Sequence, residues 1–167
     1  MRDFIDLVEA ASLLPPTELY HGTSAPIQGD SFKPLTHFGS VKAALRRSRL
    51  VYGPCYIYKV HLSASSPLRI RDGNNWNHSP MKLADILFYT VKAITDDERY
   101  QLFQYHDEEI MKAKIIEIVS AKGYDSFVYK NVHEDAGHDS WMNFHEHQVT
   151  ILDEPHILTM QQCFELE

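Results

Sequence analysis

The chain is poor in cysteine: its 167 residues include only Cys55 and Cys163. Two distant thiols cannot build a disulfide framework or a Cys-rich zinc site. They fit a reducing compartment, with a single bridge between them left open. Glycine is also sparse, at 7 residues. None falls in a Walker phosphate loop, a dinucleotide-binding G-x-G-x-x-G or a G-x-S-x-G elbow. A nucleotide therefore has to be held in some other way, and a Ser/His/Asp triad has no anchor. No apolar run approaches the ~18 residues that a membrane span needs. Met1 to Tyr20 carries Asp3, Asp6 and Glu9 inside its only apolar stretch, which does not read as a signal peptide. No repeat or composition break marks a second domain. These absences leave a soluble cytoplasmic protein of one domain, 1–167, with no membrane partner. Its 44% hydrophobic and 23% charged residues are an ordinary globular balance.

Negative charge is missing from one long segment. The chain carries 16 basic and 23 acidic residues, a formal charge of -7. Residues 31–71 hold 8 of the basic ones (Lys33, Lys42, Arg46, Arg47, Arg49, Lys59, Arg69 and Arg71) and no Asp or Glu. A segregated basic region suits an anionic ligand, such as a dinucleotide, a nucleic acid or an acidic protein face. The overall acidity disfavours a general nucleic-acid coat protein.

Periodicity predicts an α+β order. Arg2 to Leu14 reads as an amphipathic helix stopped by Pro15 and Pro16, an N-terminal element (1–16) ahead of a core at 17–160. Glu18 to His21 reads as a short strand. Ser40 caps a helix running to about Arg49. Cys55 to Leu62 alternates as a strand, with Tyr56, Tyr58, Val60 and Leu62 against Ile57, Lys59 and His61. Leu68 to Ile70 is a further short strand. Ser79-Pro80 opens a helix with a stripe of Leu83, Ile86, Leu87, Val91 and Ile94. Another helix spans about Asp107 to Lys122 and ends at Gly123. Ser126 to Tyr129 and His147 to Leu152 read as strands, and Ile157 begins the last one.

The 10 histidines raise the question of a metal. His145 and His147 flank Glu146 and share a face if they lie on a strand. His133 and His138 are near in sequence. No helical HExxH pair and no thiolate at zinc spacing accompanies them, so no metal is expected.

Three segments, in order, carry a family resemblance. They are Leu19-Tyr20-His21-Gly22-Thr23-Ser24; then His37-Phe38-Gly39-Ser40 with Ala43, Ala44 and Arg47 following; then Gly123-Tyr124-Asp125-Ser126-Phe127-Val128-Tyr129-Lys130-Asn131, Glu134, and His145 through Asp153 with Ile157. The chain resembles the ADP-ribosyltransferase superfamily, in the Tyr-His-Gly-Thr branch shared by poly(ADP-ribose) polymerases and diphtheria-like toxins. The resemblance covers residues 19 to 157. It implies a split β-sandwich with flanking helices that binds NAD as substrate in a cleft between two small sheets. The implied reaction is mono-ADP-ribosyl transfer: the nicotinamide–ribose bond is cleaved and ADP-ribose passes to a protein or nucleic acid. A role as toxin, effector or defence protein follows, acting in a target cell's cytosol if delivered, with a cognate antitoxin or immunity protein as a partner. An NAD glycohydrolase on the same fold, and a non-catalytic adaptor with an NAD-like cleft, are the alternatives.

Mapped onto this sequence, the resemblance makes His21 the ligand of the NAD ribose and the Gly22 backbone the clamp on the nicotinamide amide. Phe38 becomes an aromatic of the nicotinamide pocket, and Thr23 and Ser40 join the NAD-binding set through the same motifs. Charge alone suggests that Arg46 or Arg47 meets the pyrophosphate. The chemistry needs a carboxylate beside the ribose, whose developing oxocarbenium charge it stabilises. The family's acid starts the strand that ends in an Asp-x-x-x-Ile turn. Counting back from Asp153 lands on Gln148, which cannot carry the charge. Glu146, two residues earlier on the same strand face, is the first candidate through a small change of register or a bulge, Glu134 in the loop after Asn131 is the second, and loss of activity is a third account.

Overall fold

The computed structural model describes residues 14–48, 53–72 and 79–166. The expected N-terminal helix at Arg2 to Leu14 falls almost wholly outside them, as does Arg49. The chain runs β1 (Leu19–Thr23), β2 (His37–Phe38), α1 (Val41–Ser48), β3 (Cys55–Leu62), β4 (Pro67–Ile70) and α2 (Pro80–Asp85). A π-helical turn (Ile86–Val91), α3 (Asp96–Leu102), α4 (Glu108–Ser120), β5 (Ser126–Lys130) and β6 (Asp139–Asn143) follow. A 3-10 turn (Glu146–Gln148), β7 (Val149–Ile151), β8 (His156–Leu158) and α5 (Met160–Glu165) complete it. Two sheets and five helices make the fold α+β.

β3 is the axis of the first sheet. β1 pairs antiparallel along one edge, from Leu19↔Val60 to Thr23↔Tyr56. On the other edge β8 takes Cys55 to Ile57, and β7 takes Val60 to Leu62. The second sheet is ordered β2-β6-β5-β4. Its β4–β5 pair is parallel, from Pro67↔Ser126 to Ile70↔Tyr129. Parallel neighbours cannot be joined by a tight turn, and the helical segment α2 to α4 makes the crossover.

Alternation along the strands sorts the core into layers. On β3, Tyr58, Val60 and Leu62 pack with Val128 of β5 and Trp141 of β6, filling the space between the sheets. Phe127, Tyr129 and Met142, one residue out of phase, face the helices with Leu83, Leu87, Ile115 and Val119. Cys55 and Ile57 face α1 and α5 through Ala44, Leu45 and Cys163. Both cysteines are buried free thiols, so no bridge joins them.

The helix expected from Ser79 to Ile94 is broken. Ser79 caps its start, but α-helical bonding ends at Asp85, and Lys92 closes the π-helical turn with φ +61°. Five of the six residues of Ile86–Val91 (Ile-Leu-Phe-Tyr-Thr-Val), all but Leu87, are β-branched or aromatic, types that crowd the preceding helical turn. The wider π turn still buries Leu87 completely. The strand expected at His147 to Leu152 also differs. His147 and Gln148 belong to the 3-10 turn, and the ladder begins only at Val149.

Candidate functional site

The two sheets touch where Tyr20 and Gly39 exchange backbone bonds, at 2.9 and 3.0 Å. Beyond that bridge β1 stays with β3 while β2 turns to β6, and the edges part. A cleft of about 220 Å³ opens there, lined by residues of β1, β2, α1, β5 and β6 together with Glu134. Strand alternation fixes what β1 offers to it. The bonds from Tyr20 to Gly39 point away from β3, and a strand repeats its direction every second residue. Gly22 therefore turns its own N–H and C=O to the same edge, where β2 has left. Opposite it, the His37 carbonyl accepts from the His21 ring instead, at 2.8 Å.

That bond sets the His21 tautomer. A carbonyl only accepts, so Nδ1 carries the proton and Nε2 is the acceptor of the neutral ring. Phe32 meets the ring edge-on and Phe38 meets it at a tilt, at 5.2 and 5.8 Å between centroids. Burial pushes the His21 pKa below its ordinary 6.5; the His37 bond opposes this and the nearby Arg47 charge adds to it. The unfolded chain takes up this proton more readily than the folded one. The stability that neutral His21 contributes is therefore full above the ordinary histidine range and lost as pH falls through it. The melting temperature between pH 7 and 5 should decline less steeply in His21→Gln than in the wild type; parallel curves would exclude this role.

Glu134 reaches the cleft from the β5–β6 loop. Asn131 Nδ2 donates to its Oε2 at 2.8 Å, and Arg47 Nη1 donates to its Oε1 at 3.4 Å. Arg46 Nη1 donates to the carbonyls of His133 and Glu134, at 3.4 and 3.1 Å. Ser40 Oγ donates to buried Asp135 at 2.6 Å and accepts from Ala43 N–H at 3.1 Å. These contacts fasten the loop to α1. Tyr129 also lines the cleft, hydrogen-bonded to His37 Nδ1 at 2.8 Å. Burial, with the Glu134 charge, pushes its pKa far up, so it is a neutral phenol.

The structure thus gathers His21, Gly22, Phe38, Arg47 and Glu134 on one cleft. Arg46 and Ser40 stand behind it as fasteners of the loop. Thr23 ends β1, and its Oγ1 accepts from Ala25 N–H at 3.4 Å. Glu146 is exposed on the 3-10 turn and does not line the cleft. Gln148 does not share a strand face with it, because the turn has no two-residue period. Gln148 is buried with every polar atom used. Oε1 accepts from Phe144 and His145 N–H, both at 2.8 Å, and Nε2 donates to the carbonyls of Ser63 and Asp125 at 3.3 and 2.9 Å. It is a bracket between β6 and the loops before β4 and β5. Gln148→Glu removes both donors and sets a carboxylate against two carbonyls. It should cost about 3 kcal/mol in chemical denaturation and add no NAD cleavage.

Members of the basic segment are partly neutralised by acids from elsewhere in the chain. Lys59 pairs with Glu18 at 2.7 Å, and Arg69 with Asp139 at 2.7 Å. Only Arg47 of its described members lines the cleft. Among the described residues no group of three or more His, Cys, Asp or Glu is placed to hold a metal ion. The His145 and His147 rings stack on each other at 5.4 Å. No helix among the described residues is long and apolar enough to cross a membrane.

Asn131 and Tyr129 join the site without having been expected there. Asn131-x-x-Glu134 directly after a strand was the readable signal for the first; nothing local marks the second.

No protein-family model matches the sequence. No curated protein matches it. Among solved structures it is similar to one described as the crystal structure of an anti-CRISPR protein, at 16% identity over 83% of this chain and 94% of that chain, with a TM-score of 0.37.

Proposed function

We propose that the protein is a mono-ADP-ribosyltransferase that cleaves NAD at the nicotinamide–ribose bond, with Glu134 as its carboxylate. The observation that carries this reading is convergence. The His21 ring, the open backbone edge of Gly22 and the Glu134 carboxylate come from different parts of the chain and face one cleft, where two sheets part. The parting itself supports the split β-sandwich implied by the resemblance. Glu134 takes the place first given to Glu146 because it lies in the cleft and Glu146 does not.

In this reading the nicotinamide amide bonds the Gly22 N–H and C=O, and His21 Nε2 accepts from a ribose hydroxyl. The guanidinium of Arg47 lines the same cleft and can turn to a phosphate oxygen in place of its long contact with Glu134. The C1′–N bond breaks with its electron pair passing to the nicotinamide ring nitrogen, so nicotinamide leaves neutral. The positive charge left on the ribose faces Glu134, in a half-buried site where a fixed carboxylate acts strongly. The acceptor's nucleophile then bonds C1′ from the other side and releases its proton to solvent.

The test is nicotinamide release from NAD by the purified protein, with and without cell lysate. Release that requires lysate supports transfer to a macromolecule. Equal release without lysate and without self-labelling makes water the acceptor and the protein a glycohydrolase. No release from folded protein in either condition overturns the reading in favour of a non-catalytic cleft.

A further inference from the structure

We propose that Asn131 is a positioning residue for Glu134, an inference that rests on the reading of Glu134 as the reacting carboxylate. Asn131 is 2% exposed, and its side chain has two separate tasks. Oδ1 accepts three backbone N–H groups, from His133 at 3.0 Å, Glu134 at 2.8 Å and Asp135 at 3.2 Å. These bonds curl residues 131–135 at the end of β5 and set the Glu134 Cα beside the cleft. Three donors converging on one atom also fix the amide orientation: that atom must be oxygen. Nδ2 is consequently the atom that faces Glu134 Oε2 at 2.8 Å and Ser140 Oγ at 3.2 Å.

Each carboxylate oxygen then has its own donor, Arg47 on Oε1 and Asn131 on Oε2. The two differ in permanence. Arg47 is long, part-exposed and placed where an anionic phosphate competes for it. Asn131 is short, buried and tied by five bonds. When substrate draws Arg47 away, Asn131 is the contact that keeps the carboxylate in place. A misplacement of about 1 Å costs on the order of a hundredfold in rate, so this bond governs turnover without touching substrate.

Asparagine alone among the short side chains performs both tasks. Asn131→Asp keeps the oxygen that holds the three N–H groups and replaces only the donor, placing a second carboxylate against Glu134. Two carboxylates sharing a site cannot both ionise freely. At neutral pH the variant should release nicotinamide at least about tenfold more slowly than wild type. As pH falls, the pair binds one proton, the hydroxyl of the introduced carboxylic acid donates as the amide did, and release should recover before it fails again. The wild type has no such rise on acidification.

The experiment is the pH profile of nicotinamide release for wild type and Asn131→Asp, beside ¹³C NMR titration of the Glu134 carboxyl in both. A profile in the variant that rises on acidification, with Glu134 still ionised through the rise, supports the proposal. A profile lowered evenly at every pH, or a Glu134 that takes up the shared proton before release recovers, overturns it. The NMR arm needs no turnover. Wild type without nicotinamide release would end the transferase reading, and the titration would still decide whether Asn131 controls Glu134. Should Asn131→Asp fail to fold, the wild-type Asn131 Nδ2 protons provide the readout. They should shift with Glu134 titration and lose that shift in Glu134→Gln; their insensitivity to pH would equally overturn the proposal.

Discussion

Glu134→Gln should lower nicotinamide release from NAD by at least about a hundredfold while leaving the fold intact. The substitution is nearly isosteric and removes one negative charge. In the proposed reaction the carboxylate it replaces faces the developing cation of the ribose, and one fixed electrostatic partner in such a site is worth on the order of 10²–10³ in rate. The structural cost is small. Glutamine has a single acceptor oxygen, so it keeps either the Arg47 or the Asn131 contact and sets its own amide against the other, a loss of about 1 kcal/mol. A chain of this size then melts about 3 °C lower. The readout is nicotinamide release under saturating NAD beside a thermal melt. Glu146→Ala is the control: that side chain is exposed and away from the cleft, and its removal should leave the rate unchanged. The reverse pattern, with Glu146→Ala inactive and Glu134→Gln active, would return the acid to Glu146.

The two carboxylates also show where sequence reading stops. Counting back from Asp153 treats the chain as a continuous strand, and the 3-10 turn at Glu146–Gln148 breaks the count. Nothing local warns of that turn, since Gln148 is buried through partners at Ser63 and Asp125, far away in sequence. Glu134 is held locally by Asn131, three residues before it, but it meets the cleft only through α1, whose Arg47 lies 87 residues away, and no spacing rule reaches that. His21 and Gly22 are neighbours on one strand, so a reading of the sequence takes them together, and both line the cleft. The same contrast runs through the fold. Strand β3 alternates because it has two unlike neighbours, the second sheet on one face and α1 with solvent on the other. α4 announces itself by Asp107, which caps Glu109 and Ile110 N–H. Strand β6 was not legible because Ser140, Trp141, Met142 and Asn143 are all buried, and a strand covered on both faces has no polar phase to read. α3 was not expected, although Thr95 and Glu98 form a capping box at its start; a box of that kind marks a start and gives no length.

Gly22→Ala should destabilise the protein by about 3 kcal/mol or more, through packing and independently of any ligand. The familiar reading of glycine beside a cleft is that it lets a ligand approach the backbone. Here the approach is made by α1. A Cβ built at Gly22 lies 2.7 Å from the carbonyl carbon of Ala44 and closer still to its oxygen. The obstacle is helix backbone, which cannot swing aside as a side chain would. The adjoining helix residues, Ala43 and Ala44, are the smallest that still favour a helix, and both are buried. Small residues on both partners bring helix and strand close enough to shape one wall of the cleft. Overpacking costs about 1–3 kcal/mol where side chains can yield, so a rigid obstacle puts Gly22→Ala at the upper end or beyond, about a 10 °C fall in melting temperature. Gly39→Ala is the internal comparison. Its Cβ would meet the Ser140 hydroxyl at 2.8 Å, a group that can rotate, and about 1 kcal/mol is expected. Thermal melts of the two variants decide between the roles of Gly22. Unchanged stability with a raised KM for NAD would mean that the ligand alone requires this glycine. A large loss of stability, greater than that of Gly39→Ala, means that the helix requires it first and that the open edge offered to a ligand is a consequence of how α1 packs.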